Sequence, residues 1–209
     1  MKVLIACEFS GIVREEFRKL GHEAWSCDLL PTEIPGNHYQ GDIFEFLDKD
    51  MSWDLMIAHP PCTHLAVSGA CWFPNKIEEQ KEALEFVRRL MNFDIPKIAI
   101  ENPVSIISTR IRKPDQIIQP YWFGDPYPKK TCLWLKNLPN LLPTKMVEPE
   151  YYISKHKRNK SGVSKSSFLY AMGSKHGKQR SVTPKGFAQA MATQWGTIEN
   201  PLSKNYKER

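Results

Sequence analysis

The sequence predicts a doubly wound α/β protein with a mostly parallel sheet, followed by an irregular basic segment. Short apolar runs alternate with amphipathic helical patterns through the first two thirds of the 209 residues, which is typical of parallel strands joined by crossover helices. The sixteen prolines concentrate in the stretches between these runs. A chain of this length can bury a hydrophobic core without disulfides or metal ions, so we expect one α/β domain.

The strands and helices follow from hydrophobic periodicity and from residues that end helices. Four apolar runs predict strands at 3–7, 22–27, 54–58 and 97–100, and a later run lies at 131–135. Amphipathic periodicity predicts a helix at 12–20, ended by Gly21, and another at 77–93. A terminal helix is predicted at 188–195, with Thr183 as its N-cap and Pro184 at its first position.

Composition divides the chain into three parts. Residues 1–138 are predicted to form the catalytic core. Residues 139–180 have weak periodicity and many Ser, Lys and Gly residues, so we expect an irregular basic segment there. Residues 181–209 are predicted to hold the terminal helix, which returns to the core, and a tail.

Positive charge is concentrated near the C-terminus. The formal net charge is +6, yet no Asp or Glu occurs between Tyr151 and Ile198. Such a stretch is either a solvated basic loop or a surface that contacts nucleic-acid phosphates, because clustered cations release the counterions of a polyanion. The candidate contacts are Lys155, Lys157, Arg158, Lys160, Lys165, Lys178 and Arg180.

Cysteine usage and hydropathy favour a cytoplasmic protein. The five cysteines are odd in number and scattered, and the first residues lack the pattern of a secretory signal. No apolar run reaches the length of about eighteen residues that a membrane span requires. We therefore expect a reducing compartment and no membrane segment.

The turn after the first strand is a candidate nucleoside-binding site. Phe9, Ser10 and Gly11 lead into the first helix, where backbone N–H groups could meet an anionic ligand group. Asp28 ends the second strand and could accept hydrogen bonds from a ribose. Asp42 follows a short strand-like segment and could accept from a purine amino group, although an acid at such a position is also a common helix cap.

Cys62 is a candidate nucleophile at the end of the strand at 54–58. Two prolines fix the backbone before it and bring it to the carboxyl edge of the sheet, where α/β proteins bind ligands. A free thiol has a pKa of roughly 8.5, so this role requires partial exposure and an electropositive setting. His59 and His64 also suggest a metal site, but three candidate ligands within six residues are poorly spaced for zinc, and we expect no metal.

Glu101 is a candidate acid at the same edge. It ends another apolar strand and is followed by Asn102 and Pro103. A carboxyl group in a partly dry cleft can have a raised pKa, which suits protonation of a ring nitrogen or a hydrogen bond to it. The sequence therefore places a thiol and a carboxyl where both could face one substrate.

These motifs, taken in order, resemble those of the DNA cytosine-C5 methyltransferases. The ordered set is Phe-Ser-Gly, an acid, Gly-Asp, Pro-Pro-Cys and Glu-Asn-Pro, and it covers roughly residues 1–135. The resemblance implies a Rossmann-like fold that binds S-adenosylmethionine and a DNA substrate, duplex or single-stranded. It also suggests a protein encoded by a bacterium or a phage.

The resemblance implies a role for each matching residue. Cys62 would be the nucleophile that adds to cytosine C6, and Glu101 would bind or protonate cytosine N3. Lys129 stands where the family usually has a catalytic arginine. The S-adenosylmethionine pocket would be formed by Phe9, Ser10, Gly11, Asp28, Asp42 and Pro60.

Departures from the family pattern leave other functions open. Only about fifty residues separate Thr131 from the terminal motif region, too few for a full target-recognition region. The substrate could therefore be cytosine in RNA or a free pyrimidine nucleotide, or a protein partner could supply recognition of DNA. A catalytically silent nucleic-acid-binding module and a thiol hydrolase that uses His59 or His64 as its base are further alternatives.

Overall fold

A seven-stranded mixed sheet forms the centre of the protein. The computed structural model describes residues 1–49, 51–154, 164–166 and 180–197. The strands are β1 (Lys2–Ala6), β2 (Glu23–Asp28), β3 (His38–Gln40), β4 (Leu55–Ala58), β5 (Lys97–Pro103), β6 (Gln116–Ile118) and β7 (Thr131–Lys136). Their order across the sheet is β3-β2-β1-β4-β5-β7-β6.

The direction of the strands confirms the predicted α/β class with a mostly parallel sheet. Strands β3, β2, β1, β4 and β5 are mutually parallel, whereas β7 runs antiparallel to both β5 and β6. The chain moves outward from β1 to β3 and then returns to place β4 on the other side of β1. In such sheets, ligands bind at the carboxyl ends of the strands beside this reversal.

Helices cover both faces of the sheet. One face carries α1 (Ile12–Lys19) and α5 (Lys185–Trp195), and the other carries α2 (Ile43–Leu47), α3 (Ile77–Met91) and α4 (Ile107–Arg110). Two 3₁₀ segments (Val67–Asn75 and Pro120–Trp122) and an antiparallel pair, β8 (Tyr152–Ser154) and β9 (Ser164–Ser166), complete the described elements.

The central strands are apolar because both of their faces are buried. In β1, Leu4 and Ala6 pack into the core under α2 and α3, while Val3 and Ile5 pack into the core under α1 and α5. Successive side chains of a strand point to opposite faces, so a doubly covered strand is a continuous apolar run. This is why these strands were predictable from sequence.

The terminal helix differs from the prediction at its start. Helix α5 begins at Lys185, and Pro184 is its N-cap residue with an extended backbone, so the prediction that Thr183 caps the helix is wrong. An acid from another loop satisfies the first turn instead, because Asp125 Oδ2 accepts a hydrogen bond from the Gly186 N–H at 3.1 Å. The division of the chain at residues 138 and 180 stays a prediction, since much of 139–180 lies outside the described residues.

Arg14 is a buried charge that ties α1 to the loop after β2. Its side chain has no exposed surface and forms an ion pair with Glu15 at 3.0 Å. The guanidinium also donates to the hydroxyls of Ser26 and Thr32 and to the carbonyls of Ile34 and Asn37. A buried charge is tolerated when its donors are satisfied, so this network fixes residues 29–37 beside the carboxyl ends of β1 and β2.

Replacing Arg14 is therefore expected to destabilise the fold. We predict that Arg14→Ala lowers the free energy of unfolding by about 2–5 kcal/mol, because several buried acceptors lose their donor. Urea denaturation followed by circular dichroism measures the change. Arg18 pairs with the same Glu15 from the exposed side of α1, so Arg18→Ala is the matched control and should cost less than about 1 kcal/mol. Equal losses in the two variants would show that the buried network does not stabilise the fold.

Candidate active site

Three parallel strands bring the candidate catalytic segments to one edge. Ala6 pairs with Ala58, and Ala58 pairs with Ile100, so β1, β4 and β5 end side by side. The segments that follow these pairs contain Cys7–Gly11, His59–Cys62 and Glu101. The sheet therefore places the candidate thiol and carboxyl on neighbouring strands at the ligand-binding edge.

Hydrogen bonds lock the loop before Cys62 to the strands on both sides. The His59 N–H donates to the Ala6 carbonyl at 2.9 Å, and the Asn102 amide donates to the Pro60 carbonyl at 2.8 Å. After the loop, the N–H groups of Leu65 and Ala66 both bond to the Cys62 carbonyl. The backbone that carries Cys62 is thus fixed relative to the end of β5.

Glu101 is paired with His59. Glu101 Oε2 lies 3.0 Å from His59 Nδ1, and the two side chains are only 13% and 9% exposed. Burial would raise the pKa of Glu101, but the hydrogen bond from His59 and the positive charges of Lys129 and His59 outweigh it and hold the pKa below its usual value. The expectation that this pKa is raised is therefore wrong for the site without substrate, because it left out His59.

Cys62 is exposed to solvent, yet its cleft disfavours the thiolate. Partial desolvation, followed by the negative charge of Glu101, raises the pKa of the Cys62 thiol. Lys129 and Arg180 act in the opposite direction. The electropositive setting expected for a nucleophile is thus present but is outweighed in the site without substrate, and a bound group that neutralised Glu101 would favour the thiolate.

Lys129 reaches the site because β7 runs in the reverse direction. Thr131, the first residue of β7, pairs with Pro103, the last residue of β5. Lys129 therefore lies at the carboxyl end of β5, where its Nζ donates to the Arg180 carbonyl at 3.1 Å. The predicted catalytic lysine and one of the predicted nucleic-acid contacts, Arg180, thus both lie beside Cys62 and Glu101.

The turn at Phe9, Ser10 and Gly11 is shaped as predicted but has a different electrostatic character. Phe9 and Ser10 are buried, and Gly11 has a φ of 74°. Glu8 accepts hydrogen bonds from the N–H groups of Val13 and Arg14 at 2.7 and 3.3 Å. The first amides of α1 are therefore already occupied, and the expectation that they are free to meet an anionic ligand is wrong.

The two acids of the candidate nucleoside pocket converge on Cys7. Asp28 accepts from the Leu30 N–H at 2.9 Å through Oδ1, and Asp42 caps α2 by accepting from the Phe44 N–H at 2.8 Å. In the described part of the chain, the second oxygen of each carboxyl accepts no hydrogen bond from protein. Burial, Asp28 and Asp42 together raise the pKa of the Cys7 thiol, so both acids lie near the end of β1.

The predicted nucleic-acid contacts are covered only in part. Lys165 belongs to β9, and Arg180 lies beside Lys129. The remaining predicted contacts, Lys155, Lys157, Arg158, Lys160 and Lys178, lie outside the described residues. Their role stays a prediction.

Three functional candidates beside the site were not assigned a role from the sequence. Glu8 caps α1, His59 pairs with Glu101, and Trp72 lies on the 3₁₀ segment after Cys62 with 62% of its surface exposed. The sequence did contain a signal for the last two. A histidine directly before Pro-Pro-Cys and a tryptophan in the following loop are both unusual choices for solvated turns.

The part of the chain that the structure describes contains no cluster of three His, Cys, Asp or Glu side chains suited to a metal ion. Nor do the described helices include one that is long and apolar enough to cross a membrane.

Comparison with known proteins gives two structural resemblances. No family model and no curated protein sequence matches the chain. A protein described as a DNA modification methyltransferase encoded within a prophage, from E. coli, matches with a TM-score of 0.47 and 14% identity over 71% of this chain and 52% of the other. A DNMT2 mutant from Spodoptera frugiperda matches with a TM-score of 0.43 and 14% identity over 72% and 57%. The chain thus spans little more than half of either structure.

The electrostatics of the site predict how Cys62 reacts with alkylating agents. Replacing Lys129 by Gln removes a nearby positive charge, which raises the pKa of Cys62 further, so alkylation by iodoacetamide at pH 8 should slow by at least about twofold. Glu101→Gln should accelerate the reaction because it removes the negative charge.

Cys71 is also exposed, so mass spectrometry of the alkylated protein is best done in a Cys71→Ser background. Lys145 lies on a different loop and contributes nothing to the Cys62 titration, so Lys145→Gln is the charge-matched control. Equal slowing by both lysine variants would contradict a local effect of Lys129.

Proposed function

We propose that the protein is an S-adenosylmethionine-dependent methyltransferase that methylates C5 of cytosine in DNA through a covalent bond between Cys62 and cytosine C6. The observation that carries the proposal is the joint placement of Cys62, Glu101 and Lys129 at the carboxyl edge of β4 and β5. A thiol, a carboxyl and a cation in one cleft are the groups that addition to a pyrimidine ring requires.

The residues near β1 and β2 fit the nucleoside end of the cofactor. Asp28 and Asp42 each keep a carboxylate oxygen for a ribose hydroxyl or an adenine amino group. Leu29 and Leu30 are 72% and 47% exposed directly after Asp28, so they offer apolar cover for a ring. Phe9, Ser10, Gly11 and Pro60 would form the rest of the pocket. When bound, the cofactor supplies the methyl group as an electrophile.

The chain's own residues perform the steps on the cytosine ring. The Cys62 thiolate adds to C6, and the electron pair displaced from the C5–C6 bond makes C5 nucleophilic. Glu101 engages N3 through a shared proton and so relieves the negative charge on the ring, while Lys129 offsets the charges of the thiolate and the carboxylate. After C5 has been methylated, its proton leaves to a base, the S–C6 bond breaks and the Cys62 thiolate is restored.

The contacts of the two histidines disfavour a thiol hydrolase. His59 Nδ1 is paired with Glu101, and His59 Nε2 and His64 Nδ1 are buried without a hydrogen-bond partner among the described residues. A cysteine hydrolase needs a histidine that accepts the thiol proton. Within the described part of the chain, neither histidine is hydrogen-bonded to Cys62.

An exposed aromatic surface supports a polymeric substrate over a free nucleotide. Trp72 and Val67 are exposed on the 3₁₀ segment that follows Cys62, and no acid occurs between Cys62 and Ile77. Aromatic side chains stack on the bases of unpaired strands or fill the space left by an extruded base. A free pyrimidine nucleotide has no neighbouring base for this surface to contact.

Methyl transfer tests the proposed reaction. Radiolabel from S-adenosylmethionine should appear at C5 of cytosine in DNA, and Cys62→Ala should reduce the rate to below about one thousandth because the covalent step is lost. Cys71→Ala changes an exposed thiol outside the proposed mechanism and is the matched control. DNA containing 5-fluorocytosine should form a stable adduct with the wild-type protein. Label in RNA or dCMP alone would identify one of the alternative substrates, and cofactor binding without any transfer would indicate a silent binding module.

Trp72 is expected to contribute to affinity for nucleic acid. Trp72→Ala should weaken binding to a single-stranded oligonucleotide by about 5- to 100-fold, since stacking of one base on an aromatic side chain contributes about 1–3 kcal/mol. Trp72→Phe should restore most of the affinity. Fluorescence anisotropy of a labelled oligonucleotide measures both variants, and an unchanged affinity in Trp72→Ala would exclude stacking on this residue.

A further inference from the structure

The imidazole of His59 is held against Glu101 from two directions. Its backbone N–H bonds to the Ala6 carbonyl at 2.9 Å, and the next residue, Pro60, accepts from Asn102 at 2.8 Å. Because Asn102 directly follows Glu101, the same short stretch of β5 fixes both partners. The distance of 3.0 Å between His59 Nδ1 and Glu101 Oε2 is thus set by the sheet and not by two mobile side chains.

Burial makes this pair more than a surface ion pair. Both side chains are at least 87% buried, and the other ring nitrogen of His59, Nε2, is buried without a hydrogen-bond partner among the described residues. The imidazole therefore has one well-defined polar contact, which is Glu101. Since Oε2 is engaged by His59, Oε1 is the oxygen of Glu101 that remains for a ligand.

We propose that His59 is a positioning residue for Glu101: its Nδ1–H group fixes Oε2, directs Oε1 to cytosine N3 and moves the proton shared between Oε1 and N3 toward N3. This inference rests on the proposed function. When the S–C6 bond forms, N3 takes the proton from Oε1, and the carboxylate that results keeps its hydrogen bond from Nδ1–H. When the S–C6 bond breaks, the proton returns from N3 to Oε1, so His59 ends each cycle as it began.

The charges around the pair are consistent with this role. His59 lies near two buried carboxyl groups, Glu101 on β5 and Glu8 after β1, and its positive charge opposes the rise that burial causes in the pKa of Glu8. Lys129, which precedes β7, faces Glu101 from the other side, and Cys62 completes the set. A carboxyl that is a stronger acid gives up its proton more completely to N3, which makes C6 more electrophilic.

Two isosteric substitutions separate the two ring nitrogens. The amide nitrogen of Asn takes the place of Nδ1, whereas that of Gln takes the place of Nε2. We expect His59→Asn to retain at least about one third of the wild-type kcat for methyl transfer. His59→Gln and His59→Leu should lose about 10- to 100-fold in kcat, the effect usual for removing a group that orients a catalytic ligand. KM for DNA should change little in all three variants.

A spectroscopic measurement distinguishes positioning from a structural role. In a Cys62→Ala background, which stops the reaction before addition, the ¹⁵N shift of N3 in a labelled target cytosine reports how far the proton has moved. His59→Asn should keep the wild-type shift, and His59→Gln should move it toward that of neutral cytosine. Circular dichroism and DNA affinity show that each variant is folded and binds.

The outcomes are separable from those of the proposed function. If the wild-type protein transfers no methyl group and binds no DNA, the proposed function is wrong. If it transfers methyl groups and His59→Asn and His59→Gln lose the same activity, or neither loses any, then the positioning role of Nδ1 is wrong. An unchanged N3 shift in His59→Gln would overturn it as well.

Discussion

The parallel pairing of β4 with β5 is the constraint on which the candidate site depends. It joins Ala58 to Ile100 in register, so the residues that follow them leave the sheet at one edge with a fixed offset. The Asn102 amide then bonds to the Pro60 carbonyl and closes the space between the two strand ends. The nucleophile and the acid are thereby positioned by backbone geometry, which is stiffer than any side-chain contact.

Electrostatics at this edge reflect a conflict between two acids and the thiol. Glu8 and Glu101 are both buried near the end of β1 and β5, and Glu101 opposes ionisation of Cys62. Three cationic or potentially cationic groups, His59, Lys129 and Arg180, counter these charges from three different segments. The site without substrate therefore stays balanced, and a ligand that shares a proton with Glu101 would shift the balance toward the reactive thiolate.

The strands that form the site were predictable because each is a short apolar run buried on both faces. Cys62 and Glu101 follow such runs directly, so their approximate location needed only the rule that parallel strands share a carboxyl edge. The contacts between segments distant in sequence were not predictable. Neither the occupation of the first α1 amides by Glu8 nor the pairing of His59 with Glu101 leaves a periodic pattern, and the cap of α5 comes from Asp125, sixty residues away in the chain.

The reversed direction of β7 has a consequence for how such a site can change over time. Nucleophile and acid are both supplied by segments that leave parallel strands, whereas Lys129 arrives on a segment that enters an antiparallel one. The length of the loop before β7 can therefore vary without altering the register of β4 and β5. In evolutionary terms, the cation that tunes the site belongs to a module separable from the chemistry it tunes, so substrate preference could diverge while the reacting groups stay in place.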